Sequence, residues 1–365
     1  MPATVSADSF DALFREDTPL LDVRAPVEFA QGAFPAAVNL PLLTDTEREQ
    51  IGIMYKQSGR EAAIALGHEL VKGITRESRL QGWQEFAAAN PEGVLYCYRG
   101  GLRSQIVQQW MQEAGVGISR IEGGYKALRR HLISVLDQFL DQDRLVLVAG
   151  KTGSGKTHFI NSLKTSVDLE RLANHRGSAF GKHVAPQPVQ VNFENALGID
   201  LLKLLAHSPR RIAVEDESHA IGSLSVPTRF HQAMGQAPIA VIEESLEARV
   251  QTIHLDYIQS NYQEFLAEHP AEVEALFTEF LLGALSRIQK RLGGERYQRL
   301  KSLMEEALRQ QFQCNSTAAH EDWIRELLQQ YYDPMYDYQL GKKASRIVFR
   351  GSKEELKSWI QPMLD

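Results

Sequence analysis

Residues 145–157 read LVLVAGKTGSGKT. The apolar run at 145–149 is typical of a parallel strand that is buried on both faces. The residues after it satisfy the full P-loop pattern, in which glycines let backbone amides turn inward onto a di- or triphosphate. Lys156 would reach the terminal phosphates, and the hydroxyl of Thr157 would ligate Mg²⁺. The predicted phosphate-binding residues are Gly150, Gly153, Ser154, Gly155, Lys156 and Thr157.

A magnesium site of this kind needs a carboxylate at the end of a neighbouring strand. Residues 211–217 read RIAVEDE, a short apolar run that ends in acidic residues. We assign Asp216 as the carboxylate of the Mg²⁺ site by analogy with other P-loop proteins, with Glu215 and Glu217 as competing candidates. Acids at strand ends are also often merely solvated, so both interpretations stay open at this point.

The sequence around the P-loop predicts an α/β domain at residues 145–242. Apolar runs at 212–214 and 239–242 are its expected companion strands. Residues 243–365 follow as a largely helical region, with breaks near 269, 293 and 315. A late apolar run at 346–349 could return one strand to the sheet of the P-loop domain.

The first part of the chain predicts a second α/β domain at residues 1–130. Short β-type runs at 20–23, 94–96 and 118–121 alternate with helical patterns, and parallel strands require such crossover helices. The segment 42–79 contains no clear strand and indicates a helical insertion. Residues 131–144 predict an amphipathic helix that connects the two domains.

A cysteine lies in a loop rich in glycine and arginine, between a predicted strand and a predicted helix. Residues 97–104 read CYRGGLRS. Backbone amides and the positive end of the helix converge there, so a bound anion would lie against the sulfur of Cys97. The same field, with Arg99 and Arg103, should favour the nucleophilic thiolate, and these three are the predicted catalytic residues. A buried structural cysteine is the alternative, and the glycines and arginines argue against it.

Motifs on both sides of this loop resemble the rhodanese family. LDVR at 21–24, GAFPAAVNLP at 32–41 and IEGG at 121–124 are similar to its opening and closing signatures, in the same order. The resemblance implies a rhodanese-like parallel sheet, with Cys97 where that family carries its persulfide-forming cysteine. The loop from Cys97 to Arg103 is one residue longer than in most sulfur-transferring rhodaneses. It fits the pattern of tyrosine-type phosphatases, and a wider loop could admit a phosphate-sized anion.

Two further segments carry cations that could bind anions. Residues 171–193 contain no acidic residue, and a solvated basic loop is the alternative to a phosphate-binding segment. The candidate contacts to substrate diphosphate or RNA phosphate there are Arg171, His175, Arg176 and Lys182. Residues 331–338 contain four tyrosines, next to the cations of 342–350. Such a cluster can stack on bases or simply close a helical domain by packing.

The composition excludes several classes of protein. The chain has 365 residues, 43% of them hydrophobic and 24% charged, which predicts two or three folded domains and excludes a disordered or fibrous protein. A net charge of -6 excludes a uniformly basic nucleic-acid coat, so RNA contacts would need local patches. Two cysteines cannot build a disulfide framework, and the apolar runs are too short for a membrane span or a targeting segment. We therefore expect a cytoplasmic protein.

A rhodanese-like loop followed by a P-loop resembles the tRNA 2-selenouridine synthase family. HRGSAFG at 175–181 and EDESH at 215–219 are also similar to that family. The resemblance implies a transferase that replaces sulfur by selenium in 2-thiouridine at the tRNA wobble position. It implies selenophosphate and geranyl diphosphate as substrates, an S-geranyl intermediate, tRNA as a partner, and a selenophosphate-producing enzyme as a further partner.

Two other functions stay open from the sequence. One is a cysteine-dependent phosphatase or sulfurtransferase fused to an ATP-dependent kinase or NTPase, with Cys97 as the phosphoenzyme nucleophile. The other is a binding module, in which an inactive rhodanese fold tethers a GTPase-like switch. A P-loop recognises phosphates rather than the group attached to them, so the motif does not distinguish geranyl diphosphate from a nucleotide. Cys314 has no glycines or cations beside it, and we expect it to be inert.

Overall fold

The computed structural model describes residues 3–140 and 144–364. The chain divides into two compact units. The first contains Met1–Gln138 and Val189–Ala206, and the second contains Phe139–Pro188 and His207–Asp365. None of the helices that the structure describes is both long enough and apolar enough to span a lipid bilayer.

The first unit is built on a five-stranded parallel sheet. Its strands are β1 (Thr4–Val5), β2 (Leu20–Asp22), β3 (Ala37–Asn39), β4 (Val94–Tyr96) and β5 (Ser119–Ile121). Their order in the sheet is β1-β5-β4-β2-β3. The connecting helices are α1 (Phe10–Arg15), α2 (Pro26–Ala30), α3 (Asp45–Leu70), α4 (Ile74–Ala89), α5 (Leu102–Glu113) and α6 (Gly124–Leu140), after a short 3-10 helix at Ala7–Ser9.

Apolar side chains cover both faces of this sheet. Because neighbouring residues of a strand point to opposite faces, Leu20 and Leu21 enter different hydrophobic clusters. Leu20 packs in the cluster that contains Leu128 of α6, whereas Leu21 packs in the cluster that contains Trp83 of α4 and Cys97. The cysteine thus follows a central strand that is buried on both faces.

The second unit contains another five-stranded parallel sheet. Its strands are β6 (Leu145–Gly150), β7 (Ser166–Val167), β8 (Ile212–Glu215), β11 (Ile239–Ile242) and β12 (Ile347–Gly351), and an antiparallel hairpin is formed by β9 (Ala220–Ile221) and β10 (Leu224–Ser225). The order in the sheet is β12-β11-β6-β8-β7, so the strand before the P-loop is central. The late strand β12 pairs in parallel with β11 at the edge.

Helices make up most of the remaining chain. They are α7 (Lys156–Asn161), α8 (Leu169–Ala173), α9 (Gln190–Leu205), α10 (Thr228–Met234), α11 (Leu246–Ile253), α12 (Asn261–Glu268), α13 (Val273–Arg287), α14 (Gln289–Leu292), α15 (Gly294–Cys314), α16 (His320–Leu327), α17 (Asp333–Gly341) and α18 (Lys353–Leu364). Two π-helical segments, His254–Ser260 and Leu328–Tyr332, and a 3-10 helix at Ala344–Arg346 complete them. The predicted α/β class of both parts and the largely helical C-terminal region are confirmed.

The helix α6 differs from the predicted connector at 131–144. It begins at Gly124, and Leu128, Leu132 and Val135 lie in the core of the first unit. The described part of the connector is therefore the second half of a helix that belongs mainly to the first unit. Residues 141–143 of the predicted connector lie outside the described residues.

The helix α9 lies within the predicted P-loop domain at 145–242 but belongs to the first unit. Two side-chain amides attach this helix to the first unit. Asn192 Oδ1 accepts a hydrogen bond from the Ala33 amide at 2.6 Å, and Asn195 Nδ2 donates to the Ala33 carbonyl at 2.8 Å. Ile199 and Leu202 of the same helix pack in the core with Leu20. An amphipathic pattern predicts that a helix packs against a core, but does not indicate which core.

Candidate functional site

The cysteine loop, residues 97–103, connects the end of β4 to the first turn of α5. Gly100 has a left-handed backbone with φ +63°, and a Cβ at this position would lie 2.7 Å from the backbone nitrogen of Gly123. The loop also contacts the start of α6, because the Tyr125 amide donates to the Cys97 carbonyl at 2.9 Å. Only glycine allows this close approach of two backbone segments, so IEGG at 121–124 supports the loop directly.

The thiol of Cys97 is buried and lies against the start of α5. Its Sγ donates to the hydroxyl of Ser104 at 3.2 Å, and that hydroxyl donates to the Gly101 carbonyl at 2.9 Å. A serine hydroxyl can rotate, so Ser104 can accept from the thiol or donate to the thiolate. Ser104 is the last residue of the CYRGGLRS motif, and the sequence alone gave no signal for a role of its hydroxyl.

Arg103 is held beside the loop by a carboxylate from α2. Its guanidinium donates to both oxygens of Glu28, at 2.5 and 3.1 Å. Burial would raise the pKa of Glu28, but the hydrogen bond and charge of Arg103 outweigh it, and the pKa is lowered. The pKa of Arg103 is raised despite burial, by Glu28 first and then by the charge of Cys97. Glu28 therefore orients Arg103. Arg103 was predicted from the sequence, but its pairing with Glu28 was not.

Two other arginines lie near the loop in different ways. Arg99 is exposed, and its guanidinium lies over the Tyr98 ring at 5.9 Å from the centroid. Arg120 of β5 donates to the Gly100 carbonyl at 2.6 Å. Arg120 therefore supports the loop backbone, whereas Arg99 lies at the protein surface.

The P-loop of the second unit wraps around the end of β6. Gly153 and Gly155 have left-handed backbones, with φ +82° and +72°, which turn successive amides toward one point. Lys156 Nζ donates to the Gly150 carbonyl at 3.1 Å. The hydroxyl of Ser154 is buried and has no hydrogen-bond partner among the described residues. The predicted phosphate-binding residues thus lie together around one concave backbone.

Carboxylates face the P-loop from two neighbouring segments. Thr157 Oγ1 donates to Glu170 Oε2 at 2.7 Å, and the Glu170 amide lies 3.3 Å from Glu215 Oε2. Burial first, and then the charge of Glu170, raises the pKa of Glu215 well above its usual range. The same two causes raise the pKa of Glu217 to about 8. Buried carboxyl groups are therefore concentrated next to the Thr157 hydroxyl, and without a bound cation their neutral forms are favoured.

The residues around Thr157 fit a Mg²⁺ ion. Within the described part of the chain, Glu215 Oε1 is buried without a hydrogen-bond partner, and a cation bound there would stabilise the ionised carboxylate. The described residues contain no group of three or more His, Cys, Asp or Glu that could hold a metal alone. Mg²⁺ in phosphate-binding sites commonly takes few protein ligands and completes its shell with phosphates and water. Asp216, the residue chosen from the sequence, accepts from Lys343 at 2.7 and 2.8 Å and is already neutralised.

A cavity of about 570 Å³ lies over the P-loop, and its lining combines polar and apolar side chains. Lys156 and Thr157 line it together with Arg176, whose guanidinium donates to Asn261 at 2.6 Å. Tyr332 and Tyr336 of the tyrosine segment also line it. One predicted basic residue and two of the predicted aromatic residues therefore line the cavity over the P-loop.

The other three predicted anion contacts lie elsewhere. His175 is buried, and burial together with the charges of His183 and Lys182 lowers its pKa to about 4. Arg171 and Lys182 lie at the surface, and Lys182 forms an antiparallel bridge with His175. The basic segment thus has one side at the cavity and another side in solvent.

Comparisons with known proteins cover both units. A model described as a rhodanese-like domain matches residues 6–131, and a model described as the tRNA 2-selenouridine synthase AAA domain matches residues 143–364. Relatives named tRNA 2-selenouridine synthase are similar over nearly their whole length. One from Azotobacter vinelandii is 52% identical over 359 residues, which cover 97% of each chain. Others are 48% identical in Photobacterium profundum, over 97% of this chain and 98% of the relative, and 50% in Pseudomonas putida, over 96% and 97%.

Proposed function

Because this chain belongs to the tRNA 2-selenouridine synthase family, it is a tRNA-modifying enzyme, and we propose that its two loops carry the two halves of the reaction. In the first half, the sulfur of wobble 2-thiouridine is geranylated at the P-loop. In the second half, selenium from selenophosphate replaces the geranylated sulfur at the cysteine loop. Neither half-reaction needs the other loop for its own bond changes.

The P-loop suits the departure of a diphosphate. The sulfur of 2-thiouridine attacks C1 of the geranyl group, the C–O bond breaks, diphosphate leaves, and the base loses a proton. Lys156 and the loop amides would stabilise the charge that develops on the leaving oxygens. Mg²⁺ bound by Thr157 with Glu170 or Glu215 would add a Lewis acid that neutralises the diphosphate. Asp216 would join such a site only after Lys343 moves away.

The cysteine loop suits a tetrahedral anion beside a nucleophile. Converging amides and Arg103 would hold selenophosphate against Cys97. S-geranylation converts a poor leaving group into an alkyl thiolate, so selenium can add at C2 and expel geranylthiol. Overall, S-geranyl-2-thiouridine, selenophosphate and water give 2-selenouridine, geranylthiol and phosphate. Cys97 would be the nucleophile of this half: its thiolate attacks phosphorus, the P–Se bond breaks and the released selenide attacks C2, and water then cleaves the S–P bond to give phosphate and the free thiol. Ser104 is able to donate to the thiolate.

One observation carries the proposal: the same chain contains a cysteine in an anion-binding loop and a complete P-loop faced by carboxylates. The test supplies the full chain with 2-thiouridine-containing tRNA and follows the nucleosides by mass spectrometry. Geranyl diphosphate with Mg²⁺ should give S-geranyl-2-thiouridine, and later addition of selenophosphate should give 2-selenouridine. If ATP, and not geranyl diphosphate, protects the P-loop from proteolysis, this loop is a nucleotide site.

The partners and the location belong to the same proposal. The substrates are tRNA and two small anions, and an enzyme that produces selenophosphate would supply one of them. A reaction on tRNA that uses a reduced selenium donor and a free thiol suits the cytoplasm.

A further inference from the structure

An apolar cavity of about 320 Å³ lies in the first unit and is distinct from the cavity over the P-loop. Its walls come from the helical insertion and from α5. Ile51, Tyr55 and Ala63 line it from α3, and Leu102, Ile106 and Trp110 line it from α5. Pockets of roughly 300 to 1,000 Å³ are the usual size for small organic ligands.

The shape of α3 accounts for the cavity. Gly59 has φ +83°, so the helix is broken there and its two halves meet at an angle. Tyr55 before the break and Ala63 after it both face the cavity. The side chain of Tyr55 is 59% exposed and that of Leu102 is 41% exposed, which leaves apolar surface open to water at this place. Apolar side chains that line a concave surface are the usual lining of a small-molecule site.

The cavity adjoins the cysteine loop. Leu102 and Arg103 belong both to the end of the loop and to the cavity lining. Cys97 packs in the same hydrophobic cluster as Trp110, a residue of the cavity wall. The guanidinium of Arg103 is already paired with Glu28, so its charge is compensated. An apolar group next to the reacting anion therefore has a place in the same unit.

We propose that this cavity binds the geranyl chain of S-geranyl-2-thiouridine during selenium transfer, an inference that rests on the proposed function. The chain is a branched hydrocarbon that gains free energy when it leaves water. As selenium adds to C2, the C–S bond breaks and geranylthiol forms with the same chain attached. Binding of the chain would hold C2 at the cysteine loop before this step and remove the apolar product from the base after it.

The test compares two substrates with the full-length protein. One is a tRNA anticodon stem-loop with S-geranyl-2-thiouridine, and the other carries S-methyl-2-thiouridine. The ratio of their kcat/KM values for selenium incorporation measures the preference for the long chain. The variants Ala63→Leu, which fills the cavity, and Tyr55→Ala, which opens its mouth, should each lower this ratio by about tenfold, mainly through KM of the geranyl substrate.

The control variant is Ile74→Ala, which removes an 84% exposed side chain from the same helical insertion outside the cavity lining. It should keep the wild-type ratio. A merely unstable variant lowers both substrates together and leaves the ratio unchanged, and Tyr55→Ala at a partly exposed position guards against misfolding of Ala63→Leu. Unchanged ratios in both folded cavity variants would overturn the inference. The same holds if these variants instead slow only geranylation by geranyl diphosphate.

The outcomes also separate this inference from the proposed function. If wild-type protein converts no S-geranyl substrate to the selenium product, the proposed function fails and the inference fails with it. If wild-type protein converts it without any preference over the S-methyl substrate, the proposed function stands and the cavity assignment is wrong.

Discussion

The cysteine loop and the P-loop share a backbone arrangement and differ in the charges around it. Each follows a central parallel strand and leads into a helix, and positive φ occurs at Gly100 in the cysteine loop and at Gly153 and Gly155 in the P-loop. Arginines surround the cysteine loop, and Glu28 compensates one of them. Carboxylates with raised pKa values, caused first by burial, face the P-loop. The shared backbone thus suits an anion in both loops, whereas the neighbouring side chains suit a nucleophile at one loop and a metal ion at the other.

The strongest test of this difference removes the sulfur. Cys97→Ala should lower selenium incorporation into S-geranyl-tRNA by at least about a thousandfold, because the loop loses its nucleophile. Geranylation of 2-thiouridine-tRNA should persist, since it takes place at the other loop. Nucleoside mass analysis measures both products. The matched control is Cys314→Ala at the exposed second cysteine, which should retain both activities. Near-normal 2-selenouridine formation by Cys97→Ala would remove this role from the cysteine loop.

The converse test removes the P-loop cation. Lys156→Ala should lower geranylation by roughly a hundredfold to a thousandfold, because charge stabilisation of the leaving diphosphate is lost. Selenium transfer to tRNA that already carries the S-geranyl group should continue. Lys151→Ala in the same loop is the control, since Lys151 bonds to Asp337 and is not required by the P-loop pattern. Equal losses in both half-reactions would mean that the two loops do not act separately.

Lowering the pH should reduce the stability of the second unit more than that of the first, because of its buried histidines. Among the described residues, the buried histidines lie in the second unit, and burial followed by the charge of His254 lowers the pKa of His320 to about 3. Trp323 donates to His320 Nδ1 at 2.9 Å, and His320 Nε2 lies 2.9 Å from Gln311 Oε1, so the neutral ring uses both nitrogens. The unfolded chain binds more protons below about pH 6.5, so this stabilisation is present above that pH and is lost as pH falls.

The expected loss from His320 alone is about 2 kcal/mol between pH 8 and pH 5. His320→Gln should reduce that dependence, because glutamine can keep both hydrogen bonds without titrating in this range. Hydrogen exchange of the amides of α16, corrected for the intrinsic effect of pH, measures the local stability in both proteins. If wild type and His320→Gln lose the same stability between these pH values, His320 does not cause the acid sensitivity of this region.

The sequence predicted the two loops well because their signals are local. A P-loop and a cysteine loop are each contained in a few consecutive residues, between a strand and a helix. The central strands were also found, because all six residues of β6 are buried and the sequence there is continuously apolar. The edge strands β1, β3 and β7 were missed, since each has only two or three residues and pairs with one neighbour. Short edge strands leave almost no periodic signal.

The sequence did not reveal which distant side chains complete each site. Glu28 and Arg103 are 75 residues apart, and Asp216 and Lys343 are 127 residues apart. We assigned Asp216 by analogy because it follows a strand. In the structure its carboxylate is paired with Lys343 from the helical region. Glu170 accepts a hydrogen bond from Thr157 and lies just before the basic segment. The sequence pattern there indicated the cations as candidates and gave no signal for Glu170. Such pairings depend on tertiary packing, which a local pattern does not encode.

Arg176 tests a smaller difference, namely whether the basic segment serves the P-loop. Arg176 lines the cavity over the P-loop and pairs with Asn261 and Glu264. Arg176→Gln should raise KM for geranyl diphosphate by about tenfold, as expected for loss of one charge-assisted contact to phosphate. The salt dependence of tRNA binding should stay that of wild type. Weaker tRNA binding with an unchanged KM for geranyl diphosphate would assign Arg176 to the RNA surface.

Lys182 should give the smallest effect, because it lies on the exposed side of the same segment. If its ammonium contacts an RNA phosphate, Lys182→Gln should weaken binding of all tRNAs about equally and lower the slope of log K against log salt by roughly 0.7. One contact of that kind changes affinity by only about 2.6-fold between roughly 50 and 200 mM salt, so fluorescence anisotropy must cover several salt concentrations.

Lys56→Gln in the first unit is the charge-matched control, and its slope should equal that of wild type. Equal slopes for both variants would exclude Lys182 as an RNA contact and leave the cations of residues 342–350, beside the tyrosine segment, as the next candidates. A reduced slope for Lys182→Gln alone, with Arg176→Gln acting only on geranyl diphosphate, would mean that one basic segment holds the small anion on one side and the RNA backbone on the other.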